Sequence, residues 1–362
     1  NYWTGDKCKA FEKEFAEFAN VKHAIAVSNG TTALELALKA IDIQPGDEVI
    51  IPPRTFLATA SSVVTWGGVP VFADIELDSG NICPVSIAEK ITDKTKAIIV
   101  VHLAGWPCKM KEIMALAKQY NLKVIEDCAQ AHGAKYKGKS VGALGHIGAW
   151  SFCQDKIMTT GGEGGMVTTN DRNLWSKMWS YKDHGKSYEA VYERNHPPGF
   201  RWLHESFGTN WRMTEMQAVI GRIQLKRMAE WTKLRTANAE MLNNVAAKFD
   251  LVKPSSFNTD FTHAFYKYYL FIQPEYLAEE WSRDSIIDYL NDNGVPCFQG
   301  SCSEVYLEKA FDGQTFKPIE RLANAKYLGE VSLMFLVHPT LTSENMNKTC
   351  KVLEQVLTLA QK

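Results

Sequence analysis

The apolar positions along the chain change period, and each change predicts an element. Residues 6–19 place Phe11, Phe15 and Phe18 at helical spacing among Lys and Glu, which predicts an amphipathic helix. The apolar run HAIAV (23–27) leads through Ser28-Asn29-Gly30-Thr31-Thr32 into a second helical pattern, a strand–turn–helix unit. EVIIPP (48–53) reads as a strand stopped by two prolines, followed by a helix pattern at 55–66 and the strand VPVFADI at 69–75. KAIIVVHLAG (96–105) is apolar almost throughout, as strands buried on both faces are. A helix is predicted at 109–120, then the strand KVIEDCAQ at 123–130. Strands alternating with helices imply an α/β fold with a mainly parallel sheet. Such sheets collect ligands at the carboxyl ends of their strands. There lie residues 28–32, 54–56, His102 and 127–130.

Beyond residue 138 the pattern loosens. Residues 138–168 are short glycine-rich segments, 175–210 read as polar-aromatic loop, and 213–249 form one long helical pattern opening at Thr214. The chain then changes character. YKYYLFIQP (266–274) alternates like a strand, a helix pattern covers 280–293, VPCF opens another strand, and a helix pattern ends the chain at 343–361. These signals predict a large domain over residues 1–238 and a smaller α+β domain over 239–362, with the first residues open to joining the second.

Composition narrows the classes. A net charge of −1 gives no global field for nucleic acid or an anionic membrane, so an anionic ligand must be held by local groups. No apolar stretch approaches the ~20 residues of a membrane span. The start, Asn1-Tyr2-Trp3, has neither the charged nor the apolar region of a secretory signal; it lacks an initiator Met, so residues are expected before it. Eight scattered cysteines without a CxxC pair predict reduced thiols in a cytoplasmic protein. Cys297 and Cys302 are close in sequence but lack clustered partners, and no metal site is expected.

Four groups of residues carry candidate chemistry. Ser151-Phe152-Cys153-Gln154-Asp155-Lys156 runs into the glycine-rich Thr159–Gly165, and a lysine in such a pocket can serve as a carbonyl-reactive amine. Taken alone, Lys156 also reads as a surface lysine in a loop. Asp127, at a strand end, can keep a proton on a pyridine nitrogen, and Gln130 can bond a ring oxygen, although a strand-end Asp also commonly caps a helix. Gly30 between strand and helix frees backbone N–H groups for a phosphate, with Thr31 and Thr32 as hydroxyl donors; the same turn reads as a plain helix cap. It is neither GxGxxG nor a Walker loop, so a dinucleotide or ATP is not the natural ligand. Phe56, just past a strand, can stack on a cofactor ring or belong to the core. The order is the stronger signal: phosphate turn, aromatic, Asp, Ser, Lys, each following its own strand.

In these stretches the chain resembles the DegT/DnrJ/EryC1/StrS family of sugar aminotransferases dependent on pyridoxal 5'-phosphate (PLP). The matching segments include VSNGTTALELAL, GDEVIIPPRTFLATA, VIEDCAQAHGA, GALGHIGAWSF, KIMTTGGEGGMV, DHG and GTNWRMTEMQAVIGRIQL, and GVPCFQGSCSEVYLEKAF matches less sharply. The resemblance implies the PLP-dependent transferase fold type I: a mainly parallel seven-stranded sheet in the large domain plus a smaller domain, in a homodimer with shared active sites. It implies that Lys156 anchors PLP and then moves protons, that Asp127 pairs with the ring nitrogen, and that Gln130 contacts the ring oxygen. Phe56 would stack on the ring, and Thr31, Thr32 and Ser151 would hold the phosphate. Asn210 would reach the neighbouring subunit's phosphate, and His184 and Arg212 would contact substrate. The family often has another aromatic at Phe56 and a polar residue at Trp106.

The implied activity is transfer of an amino group from glutamate to a keto group of a nucleotide-linked sugar. FQGSCSEVYLEKAF (298–311) is similar to the branch making 4-amino-4,6-dideoxy-N-acetyl sugars for surface glycans, which points to C4 of a UDP-linked 4-keto-6-deoxy-N-acetylhexosamine. A 3-keto sugar, a dTDP- or GDP-sugar, or a cyclitol ketone is the alternative acceptor. From other classes come a PLP-binding regulatory protein without turnover, against which the intact Lys156, Asp127 and Gln130 argue, and a sugar dehydratase, in which histidine replaces the lysine.

Overall fold

The computed structural model describes residues 5–254 and 259–362; the start Asn1-Tyr2-Trp3, read above for a signal, lies outside them. Seven strands form the larger sheet: β1 (His23–Val27), β2 (Glu48–Ile51), β3 (Val69–Phe72), β4 (Thr95–Val101), β5 (Lys123–Asp127), β6 (Ile147–Ser151) and β7 (Gly165–Thr169). Their order is β1-β7-β6-β5-β4-β2-β3. Only β7 runs against the rest, pairing antiparallel with β1 and β6. The carboxyl ends of the other six strands therefore share one edge, and the amino end of β7 joins them there.

Side chains alternate across this sheet, and both faces are covered. Ile25, Val27, Ile51, Ile99 and Ile125 pack beneath helices Gly30–Ala40 and Arg172–Lys182. On the other face Ala24, Ala26, Trp150 and Met166 meet Phe11 and Phe15 of helix Asp6–Ala19, and Ile98, Val100 and Val124 meet Ile113 of helix Met110–Gln119.

A second, antiparallel sheet has the order β8-β9-β11-β10, from β8 (Val252–Pro254), β9 (Tyr268–Ile272), β10 (Cys297–Phe298) and β11 (Ser332–Phe335). Helices Arg283–Asp292 and Ser343–Ala360 contribute Ile286, Leu290, Leu353 and Val356 to its core. Residue 238 falls inside helix Met228–Ala246. Met228, near its start, packs with the large-sheet core, whereas Ala239, Leu242 and Val245 pack with the second sheet.

Two sequence expectations need correction. The stretch 175–210 is not loop at its start: helix Arg172–Lys182 buries Leu174, Trp175, Met178 and Trp179, and a short helix spans Tyr188–Tyr192. The helix expected over 213–249 is two, Glu215–Leu225 and Met228–Ala246. At the break the Arg227 N–H bonds the Gln224 carbonyl, three residues back, so the four-residue ladder is interrupted. The strand expected at 266–274 is β9, and all five of its residues are buried.

Candidate active site

At the shared strand edge lies a cavity of about 730 Å³. Thr31, Thr32, Phe56, Asp127, Gln130, Ser151 and Lys156, the residues predicted from the strand ends, all line it. Residues 266–269, leading into β9, and the 300–302 segment that follows β10 close it with Tyr266, Lys267, Tyr269 and Ser301.

The phosphate end is built by the β1–helix turn. Asn29 caps helix Gly30–Ala40: its side chain accepts the Thr32 N–H at 2.9 Å, and the Thr32 hydroxyl donates to the Asn29 carbonyl at 2.8 Å. Thr32 is thus engaged in holding the turn, while the first N–H groups of the helix, at Gly30 and Thr31, face an anion-favouring terminus. A Cβ on Gly30 would stand 2.6 Å from the Ser151 Cβ, so only glycine lets the turn lie against the end of β6.

Asp127 ends β5 and is 7% exposed. Its carboxylate accepts the Ala129 N–H at 3.2 Å and the Thr59 hydroxyl at 3.1 Å. Burial pushes its pKa up; those two donors, with Lys156 and His102, pull in the other direction but do not cancel the rise. The Ala104 N–H donates to Gln130 Oε1 at 2.7 Å, which fixes the amide and leaves Nε2 as its donor end. Phe56 is 74% exposed, an aromatic ring at the cavity rather than in the core.

Lys156 Nζ lies 3.4 Å from Asp155 Oδ2, and the Tyr266 hydroxyl donates to the same oxygen at 2.7 Å. Burial opposes ionisation of Asp155, but Tyr266 and Lys156 outweigh it and hold its carboxyl below the usual range. The Lys156 amine also stands over the Tyr266 ring, 5.4 Å from its centroid.

His184, Asn210 and Arg212 do not line this cavity; the structure brings them to one another beside it. Arg212 donates to Asp183 at 3.0 Å and to Asn210 Oδ1 at 3.0 Å, and the His184 N–H bonds the Thr209 carbonyl. Burial raises the Asp183 pKa, but Lys182, Lys186 and Arg212 outweigh it and keep the carboxyl low. Asn210 and His184 are exposed, and His184 has a left-handed backbone with φ of 61°.

Sequence reading missed the contribution of residues 266–269, because nothing local marks a strand of a distant sheet as a cavity wall. It also missed the network behind Asp127. His102 Nδ1 accepts the Cys108 N–H, so Nε2 carries the proton it donates to Glu126 at 3.0 Å. Glu126 also accepts the N–H groups of Gly142, Leu144 and Gly145. His102, Glu126 and Cys128 have ligand atoms within 4.8 Å of one another, but the first two are taken up by these hydrogen bonds.

The chain matches the DegT/DnrJ/EryC1/StrS aminotransferase family over residues 1–354. It belongs to that family. An aminotransferase of Psychrobacter cryohalolentis has a solved structure at TM-score 0.97 and 62% identity, covering 99% of this chain and 93% of that one. A UDP-N-acetyl-3-dehydro-alpha-D-glucosamine 3-aminotransferase of Acidithiobacillus ferrooxidans is 34% identical over 98% of this chain and 89% of its own length. The GDP-perosamine synthase of Escherichia coli O157:H7 is 43% identical over 66% of this chain, a match that spans only 62% of the synthase. DegT/DnrJ/EryC1/StrS proteins are PLP-dependent, and the fold is that of the PLP-dependent transferases of fold type I. The cavity fits this cofactor: a glycine turn against a serine for its phosphate, a buried carboxylate for its ring nitrogen, an exposed aromatic for its ring face and an amine at the wall.

Proposed function

We propose that this chain transfers an amino group from glutamate to a keto group of a nucleotide-linked sugar. One observation carries the reading: Lys156 and the buried Asp127 line a single cavity with the Gly30 turn. When bound, PLP supplies an electron sink for charge developing at a substrate carbon. The chain's residues do the rest. Thr31, Ser151 and the helix N–H groups hold the phosphate, with Thr32 fixing their turn. Asp127 keeps a proton on the ring nitrogen, Gln130 Nε2 donates to the ring oxygen, and Phe56 covers a ring face. The Lys156 amine anchors the cofactor and, once free, takes a proton from the substrate carbon and returns it. Asp155 and Tyr266 orient that amine.

The acceptor we favour is a UDP-linked 4-keto-6-deoxy-N-acetylhexosamine, aminated at C4 for a surface glycan, on the strength of the 298–311 segment. A GDP- or dTDP-sugar or a 3-keto sugar is the second reading. Its support is the perosamine synthase and the 3-aminotransferase among the relatives. A homodimer, with Asn210 reaching the partner's phosphate site and His184 and Arg212 near substrate, completes the proposal. Asn210 and His184 are exposed beside the cavity, which suits these roles. The eight cysteines are all free thiols, which favours a reducing, cytoplasmic setting. Among the described residues no helix is long and apolar enough to cross a membrane.

The test is spectroscopic. Glutamate should shift the visible absorbance band of the loaded protein, and a matching keto sugar from a UDP, dTDP and GDP panel should restore it. Lys156→Ala should lose the shift and turnover; a shift that persists in that variant would overturn the assignment of the lysine.

A further inference from the structure

Beside the main cavity lies a second one of about 290 Å³, lined among others by Trp231, Arg235, His338 and Thr340. Asp155, Lys156, Tyr266 and Lys267 line both cavities. The second cavity carries more positive than negative charge. Arg235 is 5% exposed and donates to the backbone carbonyls of Phe265 and Tyr266, while its Nε has no hydrogen-bond partner. Lys267 stands over the Tyr266 ring at 4.9 Å. Neither cation has a carboxylate within ion-pair distance among the described residues; the one carboxylate in the lining, Asp155, is taken by Lys156 and the Tyr266 hydroxyl. A buried guanidinium and a half-buried ammonium without counter-charge favour an anion. His338 adds a ring whose Nδ1 is bonded to the Thr340 hydroxyl, leaving Nε2 open to a ligand.

We propose that this cavity receives a carboxylate of the amino donor, held by Lys267 and Arg235 with His338, so that the donor's amine would meet, across the shared wall, the cofactor carbon that Lys156 holds. The inference rests on the transaminase reading and assigns the donor its own subsite. Size supports the division. The cavity lies at the foot of the range for drug-sized ligands, ~300–1,000 Å³, which suits a small dicarboxylate, and the main cavity at about 730 Å³ is left for the larger acceptor. A two-substrate enzyme that frees one product before taking the next substrate must recognise two unlike molecules at one reacting centre. Two adjoining pockets meet that need.

The experiment uses the loaded protein. Glutamate and L-alanine are titrated against the visible band, the keto sugar against the aminated form, and glutarate binding is followed by calorimetry. Wild type should respond to glutamate at much lower concentration than to alanine, and glutarate should bind. Lys267→Met should raise the half-saturating glutamate about ten- to a hundredfold, as loss of a charge-assisted bond does, with the half-saturating keto sugar shifted far less. His338→Leu, at a residue lining only the second cavity, should give the same split more weakly, and Lys267→Arg should restore much of it. Equal responses to glutamate and alanine, no binding of glutarate, or equal weakening of both substrates in Lys267→Met would overturn the inference. So would competition between glutamate and UDP that Lys267→Met relieves while glutarate binding stays intact, since the cations would then serve the nucleotide. If no amino acid alters the wild-type band, the transaminase reading itself falls, and glutarate binding lost in Lys267→Met still reports on the cavity.

Discussion

Asp127 is a carboxylate kept out of water, and its raised pKa has a direction that can be tested. An Asp whose pKa lies above the ordinary value takes up a proton sooner as the pH falls. Pairing with a protonated ring nitrogen needs the ionised form, so cofactor affinity should decline on acidification through that raised value and hold steady above it. Titrating PLP into the stripped protein across pH should show this limb. Asp127→Asn should bind weakly at every pH and lose the limb; a variant that retains it would assign the titration to another group. Phe56 makes a cleaner separation of binding from folding. With 74% of its surface exposed it packs little, so Phe56→Leu should leave Tm unchanged and weaken cofactor retention by about 1 kcal/mol, the scale of one aromatic stacking contact. A fall in Tm with unchanged retention would return this ring to the core.

Elements show why parts of the molecule were legible in sequence and parts were not. β4 was readable because burial on both faces demands a nearly unbroken apolar run, and the strand ends could be named because parallel sheets gather chemistry there. Helix Arg172–Lys182 was obscured by polar neighbours, although Trp175, Met178 and Trp179 do follow helical spacing. Tyr266, Lys267 and Arg235 could not be placed, since their positions depend on how the second sheet docks. The Glu126 network was hidden for the same reason: its donors at 142–145 come from a loop that meets β5 only in the folded chain. That carboxylate accepts three backbone N–H groups and the His102 proton while fully buried. Glu126→Gln would turn an amide N–H₂ toward donors and leave at least one of them unpaired. Such a loss costs about 1–3 kcal/mol, which thermal unfolding would detect, and cofactor retention should fall with it because Asp127 is the next residue. Unchanged stability would mean the loop 142–145 finds other acceptors.

At the scale of the whole molecule, helix Glu215–Leu225 presents two unlike faces. Ala218 and Gly221 are buried, and a Cβ on Gly221 would stand 2.6 Å from the Phe11 ring, so this side is pressed against helix Asp6–Ala19. The other side exposes Met216 (70%), Val219 (38%), Ile220 (37%) and Ile223 (53%), an apolar stripe at i, i+3, i+4 and i+7. Asn210 is exposed five residues before the helix begins. An uncovered stripe is an association surface when it continues into residues of a site, and the proposed dimer would place Asn210 at the partner's phosphate turn. Val219→Glu combined with Ile223→Glu should then shift the protein from dimer to monomer in light scattering. Far-UV dichroism should be retained, because both side chains are at the surface. PLP affinity should drop in the same variant although no residue of its own cavity has changed, and in wild type it should fall on dilution through the dimer dissociation range. A wild-type monomer with full affinity, or a monomeric variant that binds PLP as tightly as the parent, would mean that each chain completes its phosphate site alone and that Asn210 serves only the Arg212–Asp183 cluster.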